Sequence, residues 1–509
     1  MSYFEAFFTA FTNWQFLLYN AVGVFVGIYL GVIPGLSVTM AVSLLISFTF
    51  SWELYPALAL MVGIWSGGVM GGSRTAILLN IPGGPANVAT SLDGYPLAQK
   101  GEAGIAMGLA TVESVAGGFI GIIALLVAAP ILSRISTMFA ARDYLLLAAM
   151  GLFLAGSLGR GSLVKALITA FLGVAIGLIG LDLVTAQPRM TFGNPILLGG
   201  VHFIIPMIGL FGLSEAFVQL KTKAKPVRQN IARVIPDMKL FFKMLPLAIK
   251  SSIIGVIVGI LPGTGGDIAA LVAYDQAKRS VKKPSRPFGE GAYEGVVAPE
   301  AANNACVGGA AIPMMTLGIP GDSVTAVLLG ALIIHGVRPG PLLMMEQPEF
   351  FYTFLGFLVV ANFFVLIFGM SGIRMLSKLV EIPKVVIIPI IIILSIIGSY
   401  AINSSVIDIY IMFFFGILGY LLKMYDFPVS TMVLGVVLGP IIDTNWRRAV
   451  DTSHGEVSTF ISGFFTNPIS FALLLFIAFM VLPAKLRAAA VEVASTPFRR
   501  IVTAIKKNQ

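Results

Sequence analysis

Charge is scarce in this chain. Only 11% of its 509 residues are Asp, Glu, Lys or Arg, against about a quarter in a soluble domain, too few to cover a soluble surface. Cys306 is the one cysteine, which excludes a disulfide framework and a cysteine-based metal site. Three histidines, His202, His335 and His454, stand far apart and make no ligand spacing. There is no G-x-x-x-x-G-K-[ST] and no dinucleotide glycine pattern after a strand, which argues against ATP drive by this chain. H-E-x-x-H and a nucleophile elbow with a positioned base are also missing, so no enzymatic chemistry is expected. Nothing suggests nucleic-acid binding, because the net charge of +9 fits basic cytoplasmic loops. The N-terminus lacks the basic start and cleavage site of a signal peptide, so the first span is expected to be retained.

What fills the chain is apolar. Runs of membrane-spanning length cover Trp14–Ile33, Ile105–Leu132, Tyr144–Leu158, Leu163–Leu181, Phe350–Leu376, Val385–Tyr400, Val406–Leu422 and Phe464–Leu482. The fold class is therefore an all-α polytopic membrane protein. A phrase written twice organises it: GVIPG at 31–35 and GILPG at 259–263, with Gly27 and Gly255 four positions earlier. Ile-Pro-Gly recurs at 81–83 and 319–321. Pro34 and Pro262 lie 228 residues apart, Pro82 and Pro320 238. Landmarks in one order at nearly one offset indicate an internal duplication.

The first repeat is assigned to 1–227, with hairpins at 14–54 and 55–101 and plain spans over 103–220. The second is assigned to 228–509, with hairpins at 244–280 and 291–340, plain spans over 350–483 and a basic cytoplasmic tail. Asp93-Gly94-Tyr95-Pro96 reads as a surface turn. Eight basic residues (Lys221, Lys223, Lys225, Arg228, Arg233, Lys239, Lys243 and Lys250) against Asp237 place 221–250 in the cytoplasm. Part of that stretch, Val234–Lys250, reads as an amphipathic surface helix. Basic blocks on both sides of 251–277 suggest a re-entrant hairpin. An odd number of crossings between the halves gives an inverted pair, an even number a parallel one; the uncharged N-terminus favours inversion.

Pro34, Gly35, Pro82, Pro262, Gly263 and Pro320 interrupt helices at membrane depth, where freed backbone groups need protein or a wet cavity. Matched interrupted segments in two halves point to a secondary transporter's binding site. A half-helix starting after Pro-Gly offers free N–H groups and a positive dipole end, which attract anions. The decoration is polar: Ser37 and Thr39, then Asn80, Gly83 and Asn87, then Thr264, then Asn303, Asn304, Gly321, Ser323 and Thr325. Hydroxyls, amides and N–H groups suit carboxylates, and the oxygens of Asn80, Asn304 and Thr264 suit Na⁺. Arg74 is a charge at membrane depth, read either as a substrate contact or as a pair with Glu113 or Glu300. Glu300, beside Pro299, reads as a proton or cation ligand or as an ordinary helix-start charge.

The blocks GVIPGLSVTMAVSLL, GGSRTAILLNIPGGPANVATSLDGYPLAQKG, GILPGTGGDIAALVAYDQAKR and EGVVAPEAANNACVGGAAIPMMTLGIPGDSVTAVLLGALIIHGVRPGP resemble the large membrane subunit of the tripartite tricarboxylate transporters. The resemblance implies a permease of about a dozen helices in a bacterial inner membrane. It implies a small membrane subunit and a periplasmic solute-binding protein as partners, and a carboxylate such as citrate as substrate. It also implies symport with an ion, expected to be Na⁺, and no other cofactor. Polar-tipped hairpins are similar in architecture to elevator-type carriers, in which hairpins move past a scaffold. Arg74 stands where many relatives are expected to be uncharged, which leaves room for another anion. A channel, a stand-alone carrier and a homo-oligomer remain open.

Overall fold

Within lipid, a chain keeps its backbone N–H and C=O groups paired only by winding into helices or closing a barrel. The computed structural model of the protein takes the first course. It describes residues 2–33, 36–158, 162–182, 185–221, 237–373 and 384–481. In chain order the helices are α1 (Tyr3–Thr12), α2 (Trp14–Val32), α3 (Val38–Thr49), α4 (Leu54–Gly71), α5 (Ser73–Leu79), α6 (Asn87–Gln99), α7 (Ala103–Ser136), α8 (Ala141–Leu158) and α9 (Leu163–Gly177). A short ribbon follows, β1 (Gly180–Leu181) against β2 (Pro188–Arg189), then α10 (Ile204–Met207) and α11 (Ser214–Lys221), joined by a π turn. Then come α12 (Met238–Ile260), α13 (Gly265–Ser280), α14 (Glu294–Leu317), α15 (Ser323–Ile334), α16 (Leu343–Glu346) and α17 (Pro348–Ser371). The rest are α18 (Lys384–Asn403), α19 (Val406–Met424), α20 (Val429–Asp451), α21 (Val457–Thr466) and α22 (Pro468–Val481). Among the described residues seven helices, or eight if a bent pair counts as one span, are long and apolar enough to cross a bilayer. The chain is a multi-pass membrane protein.

Glycine marks the helix contacts, because two backbones touch only where at least one of them lacks a bulky side chain. Gly23, Gly27 and Gly31 of α2 rest on Leu60, Ile64 and Gly68 of α4, so these helices run in the same sense. The chain between them must turn back, and α3 is the return. The pattern recurs where Gly255 and Gly259 of α12 meet Ala302 and Cys306 of α14; α13 is the return there. Gly117 and Gly121 of α7 lie on Ala301 and Ala305, which makes α7 parallel to α14. Asn20 of α2 bonds both Ala59 and Phe357, and Gly369 meets Met70, so α17 runs with α4. Asn362 of α17 bonds Val115 while Gly369 lies by Thr111, which sets α17 antiparallel to α7. Thus α2, α4 and α17 point one way and α7, α12 and α14 the other.

Three sequence readings need correction. Asp93 lies within α6, fully buried. Its carboxylate accepts from the backbone N–H groups of Gly289, Gly291 and Ala292 at 2.8, 2.9 and 2.8 Å and from the Tyr274 hydroxyl at 2.8 Å. Those donors override the local turn preference. The described part of Val234–Lys250 is no separate surface helix: from Met238 it is the first half of α12. The run Phe464–Leu482 is broken by an 85° bend at Asn467-Pro468, since proline cannot continue the helix before it.

At the loop end of α13, Arg286 grips Glu102 with two bonds of 2.6 and 3.0 Å, and the Tyr293 hydroxyl adds a third at 2.7 Å. The guanidinium holds the Glu102 carboxyl below the usual carboxylate range. At the opposite face Arg189 and Arg447 pair with Asp443 and Asp182, tying the β ribbon to α20.

Two predictions follow from these contacts. Gly27→Val places a Cβ 2.4 Å from the Ile64 carbonyl oxygen and should cost on the order of 1–3 kcal/mol. Gly199→Ala, with nothing within 4 Å of the added carbon, should be neutral. Melting of the two detergent-solubilised variants compares them, and equal melting would contradict the α2–α4 seam. Arg286→Gln should lower the melting point slightly at neutral pH, by about 1 kcal/mol or less, because both partners are about a quarter exposed. A carboxyl held low when folded stabilises above its ordinary range and loses that contribution in acid. The difference should therefore begin to shrink below about pH 4 and vanish once Glu102 is protonated in the folded protein.

Candidate functional site

Each helix break has a local cause. After α5, Asn80 adopts φ 56°, a left-handed conformation that Asn tolerates, and its N–H and that of Ile81 both donate to Thr75 O. After α14, Gly318 does the same at φ 67°, with Gly318 and Ile319 N–H on Pro313 O. After α2, Ile33 N–H donates to Leu30 O and Leu36 N–H to Ile33 O; after α12, Leu261 and Thr264 repeat the pattern on Val258 and Leu261. Gly83 sits against the Gly31 carbonyl and Gly72, and Gly321 against the Gly259 carbonyl and Ala310.

The breaks converge. Thr39 Oγ1 and Ser323 Oγ are 2.9 Å apart, joining the starts of α3 and α15. The far ends of the same helices meet where His335 Nε2 lies 3.1 Å from Thr49 O. Asp322 packs on Gly265, and Asn303 lies against Gly266 while its amide reaches Val69 O at 3.5 Å. Ala86 and Ala89 pack with Ala270 and Tyr274, which lays α6 beside α13. Asn87 lies beside Gly72, and Gly94 beside Ile77, so α6 starts at the depth of Gly72 and runs with α5.

The four helix starts differ in capping. Ser37 Oγ accepts from Met40 N–H at 3.2 Å, and Asp322 accepts from Thr325 N–H at 2.7 Å while Thr325 Oγ1 accepts from Asp322 N–H at 2.8 Å. The starts of α6 and α13 carry no side-chain cap. Thr264, at the head of α13, turns its hydroxyl instead to Val258 O and Leu261 O.

Most of the expected residues lie in this junction: Ser37, Thr39, Gly83, Asn87, Thr264, Asn303, Gly321, Ser323 and Thr325, with Pro82, Pro262, Gly263 and Pro320 at the bends. Pro34 and Gly35 fall outside the described residues. Asn80 is exposed at the end of α5. Asn304 is deeper, with its amide on Ser114 Oγ at 2.8 Å and Glu300 O at 3.0 Å. Glu300 is inside α14, not at its start, and is fully buried. It accepts from Thr90 Oγ1 at 2.6 Å, Ser114 Oγ at 3.1 Å and Asn87 Nδ2 at 3.5 Å. Thr90 belongs to the polar decoration that the sequence shows after the second break; Ser114 escaped the sequence reading, since nothing but helix phase marks it.

Arg74 is fully buried and committed elsewhere. It donates to Met107 O at 2.6 Å, Gly369 O at 3.1 Å, Met70 Sδ at 3.3 Å and Thr111 Oγ1, clamping α5 to α7 and α17. Neither Glu113 nor Glu300 is ion-paired with it. No cluster of His, Cys, Asp and Glu that could hold a metal occurs among the described residues.

Comparison with known proteins identifies the family. The family model described as the tripartite tricarboxylate transporter TctA family matches residues 17–434. A protein of Agrobacterium vitis, described as a 52.8 kDa protein in the TAR-I ttuC' 3' region, is 36% identical over 433 residues, covering 84% of this chain and 85% of that protein. A second, described as a protein in the TAR-II ttuC' 3' region of the same organism, is 38% identical over 220 residues, covering 43% of this chain and 89% of its own length. No solved structure matches. A lipid-buried helical chain whose interrupted segments meet in one polar junction, matched over residues 17–434, belongs to the tripartite tricarboxylate transporter TctA family, a family of transport permeases.

Proposed function

We propose that the chain is the permease of a tripartite, sodium-driven uptake system in a bacterial inner membrane. It would take di- or tricarboxylates such as citrate from a periplasmic binding protein and work beside a small membrane subunit. The observation that carries this reading is the junction itself. The uncapped starts of α6 and α13 lie side by side, with Asn87, Thr264 and Asn303 around them. Two positive dipole ends at one depth suit a carboxylate without a buried lysine or arginine. The proposed coupling ion is Na⁺, a hard cation that prefers oxygen. Of the three oxygens expected around it, that of Thr264 lies at the junction, while Asn304 is deeper and Asn80 is exposed at the end of α5.

Two inverted repeats, 1–227 and 228–509, are part of this reading. Opposite helix directions in the halves support inversion, as do Gly83 on Gly31 and Gly321 on Gly259, equivalent by the offsets of 238 and 228. In this reading α2–α3 and α12–α13 are re-entrant hairpins entering from opposite sides. The segments 55–101 and 291–340 are then interrupted spans rather than hairpins, because α6 keeps the sense of α5, and α15, parallel to the returning α3, keeps that of α14. An elevator-like slide of the hairpins past the plain helices would carry both solutes together.

Removing sodium from the buffer should abolish citrate uptake by cells making all three components; uptake that persists undiminished would remove the coupling ion. Asn87→Ala and Thr264→Ala should each weaken citrate uptake roughly tenfold or more, by about 1.4 kcal/mol, with folding intact by size-exclusion chromatography. Normal uptake in both variants would displace the site from the α6–α13 starts.

A further inference from the structure

Glu113 takes part in none of the contacts described so far. It lies a third of the way along α7, fully buried, and neither carboxylate oxygen has a hydrogen-bond partner among the described residues. Residues one turn to either side fix where it points. Leu109 packs with Met244 and Ala248 of α12 and Val297 and Ala301 of α14, and Gly117 rests on the Ala301 carbonyl. Positions four apart share a helix face, so Glu113 faces the seam where α7 meets α12 and α14.

The other charged groups on these three helices are engaged or turned away. Glu300 is bonded to Thr90 and Ser114, and Glu294 to Ser285. Lys239, Lys243 and Lys250 on α12 and Arg134 on α7 are exposed. The corresponding seam between α2, α4 and α17 holds a different polar residue, Asn20. Its amide donates to Ala59 O and Phe357 O at 3.1 and 3.2 Å. An ionised carboxylate has no proton to donate in that way, whereas a protonated carboxyl has one. At this depth an ionised, unpartnered carboxylate is far costlier than a neutral one.

We propose that Glu113 is a proton-binding site of the permease, loaded while the α7–α12–α14 seam is closed and unloaded when the seam opens to water. The proposal goes beyond the carboxylate and sodium reading and does not rest on it, and its test uses no transported solute. Only the proton moves: the carboxylate oxygen gains one from water on closing and returns it on opening.

Infrared spectra of the purified full chain at neutral pH provide the test, taken as wild type minus Glu113→Gln. A carboxylic C=O band that shifts in D₂O should be present in the wild type and lost in E113Q. Carboxylate bands in that difference, with no carboxylic band, would overturn the proposal. Glu113→Leu runs in parallel in case E113Q is lost on purification. A neutral site tolerates at least one of the two, so failure of both to fold would mean that a charge is required, and the proposal falls. As pH rises, an unfolded carboxyl ionises above about 4 while the buried one keeps its proton. Wild-type melting should therefore fall toward alkaline pH more steeply than that of either variant. Parallel pH dependence in all three would show that the proton is not tied to the closed seam, and would equally overturn it.

Discussion

Breaking a helix inside lipid frees N–H and C=O groups that have nowhere to go. Everything in this fold accommodates that cost. The interrupted ends are gathered into one junction, where Thr39 meets Ser323 and Asp322 meets Gly265. To bring them so close, the supporting helices must touch backbone to backbone, and glycine or alanine stands at each contact. Polar breaks and glycine seams are two sides of one constraint: a site of this kind in a membrane needs both.

The junction is not symmetric in its chemistry. One pair of parallel half-helices, α3 and α15, begins with Ser37 and Asp322, which consume their own free N–H groups. The other pair, α6 and α13, leaves them without side-chain caps. The two sides of the junction are therefore chemically different, one closed by its own side chains and the other open. Glu300 and Arg74 act behind this surface. The first gathers hydroxyls from α6 and α7, and the second locks α5 to α7 and α17, so each holds an element whose position sets the junction.

How much of this is legible in the sequence depends on how local the cause is. The Pro-Gly breaks, the helical membrane class and the polar decoration are written in neighbouring residues, and among the described residues the helices stop just before Pro82, Pro262 and Pro320. The stop after Asn80 is local too, since Asn replaces Gly at a left-handed position. What depends on remote partners is not legible. Asp93-Gly94-Tyr95-Pro96 carries every mark of a turn, yet three amides some 200 residues away, at 289–292, draw it into a buried helix. Arg74 reads as a functional charge because its acceptors, Met107, Thr111 and Gly369, are remote in the chain. The direction of α6 likewise rests on the pairing of Gly94 with Ile77, which no periodicity announces.

The seams also cross between the halves. α7 of the first lies along α14 of the second, and α17 of the second lies along α4 of the first. A fragment ending at residue 221 would bare Gly117 and Gly121 of α7 and the side of Met70 that Gly369 of α17 covers. Severed halves would therefore have to be synthesised side by side and find each other within the bilayer.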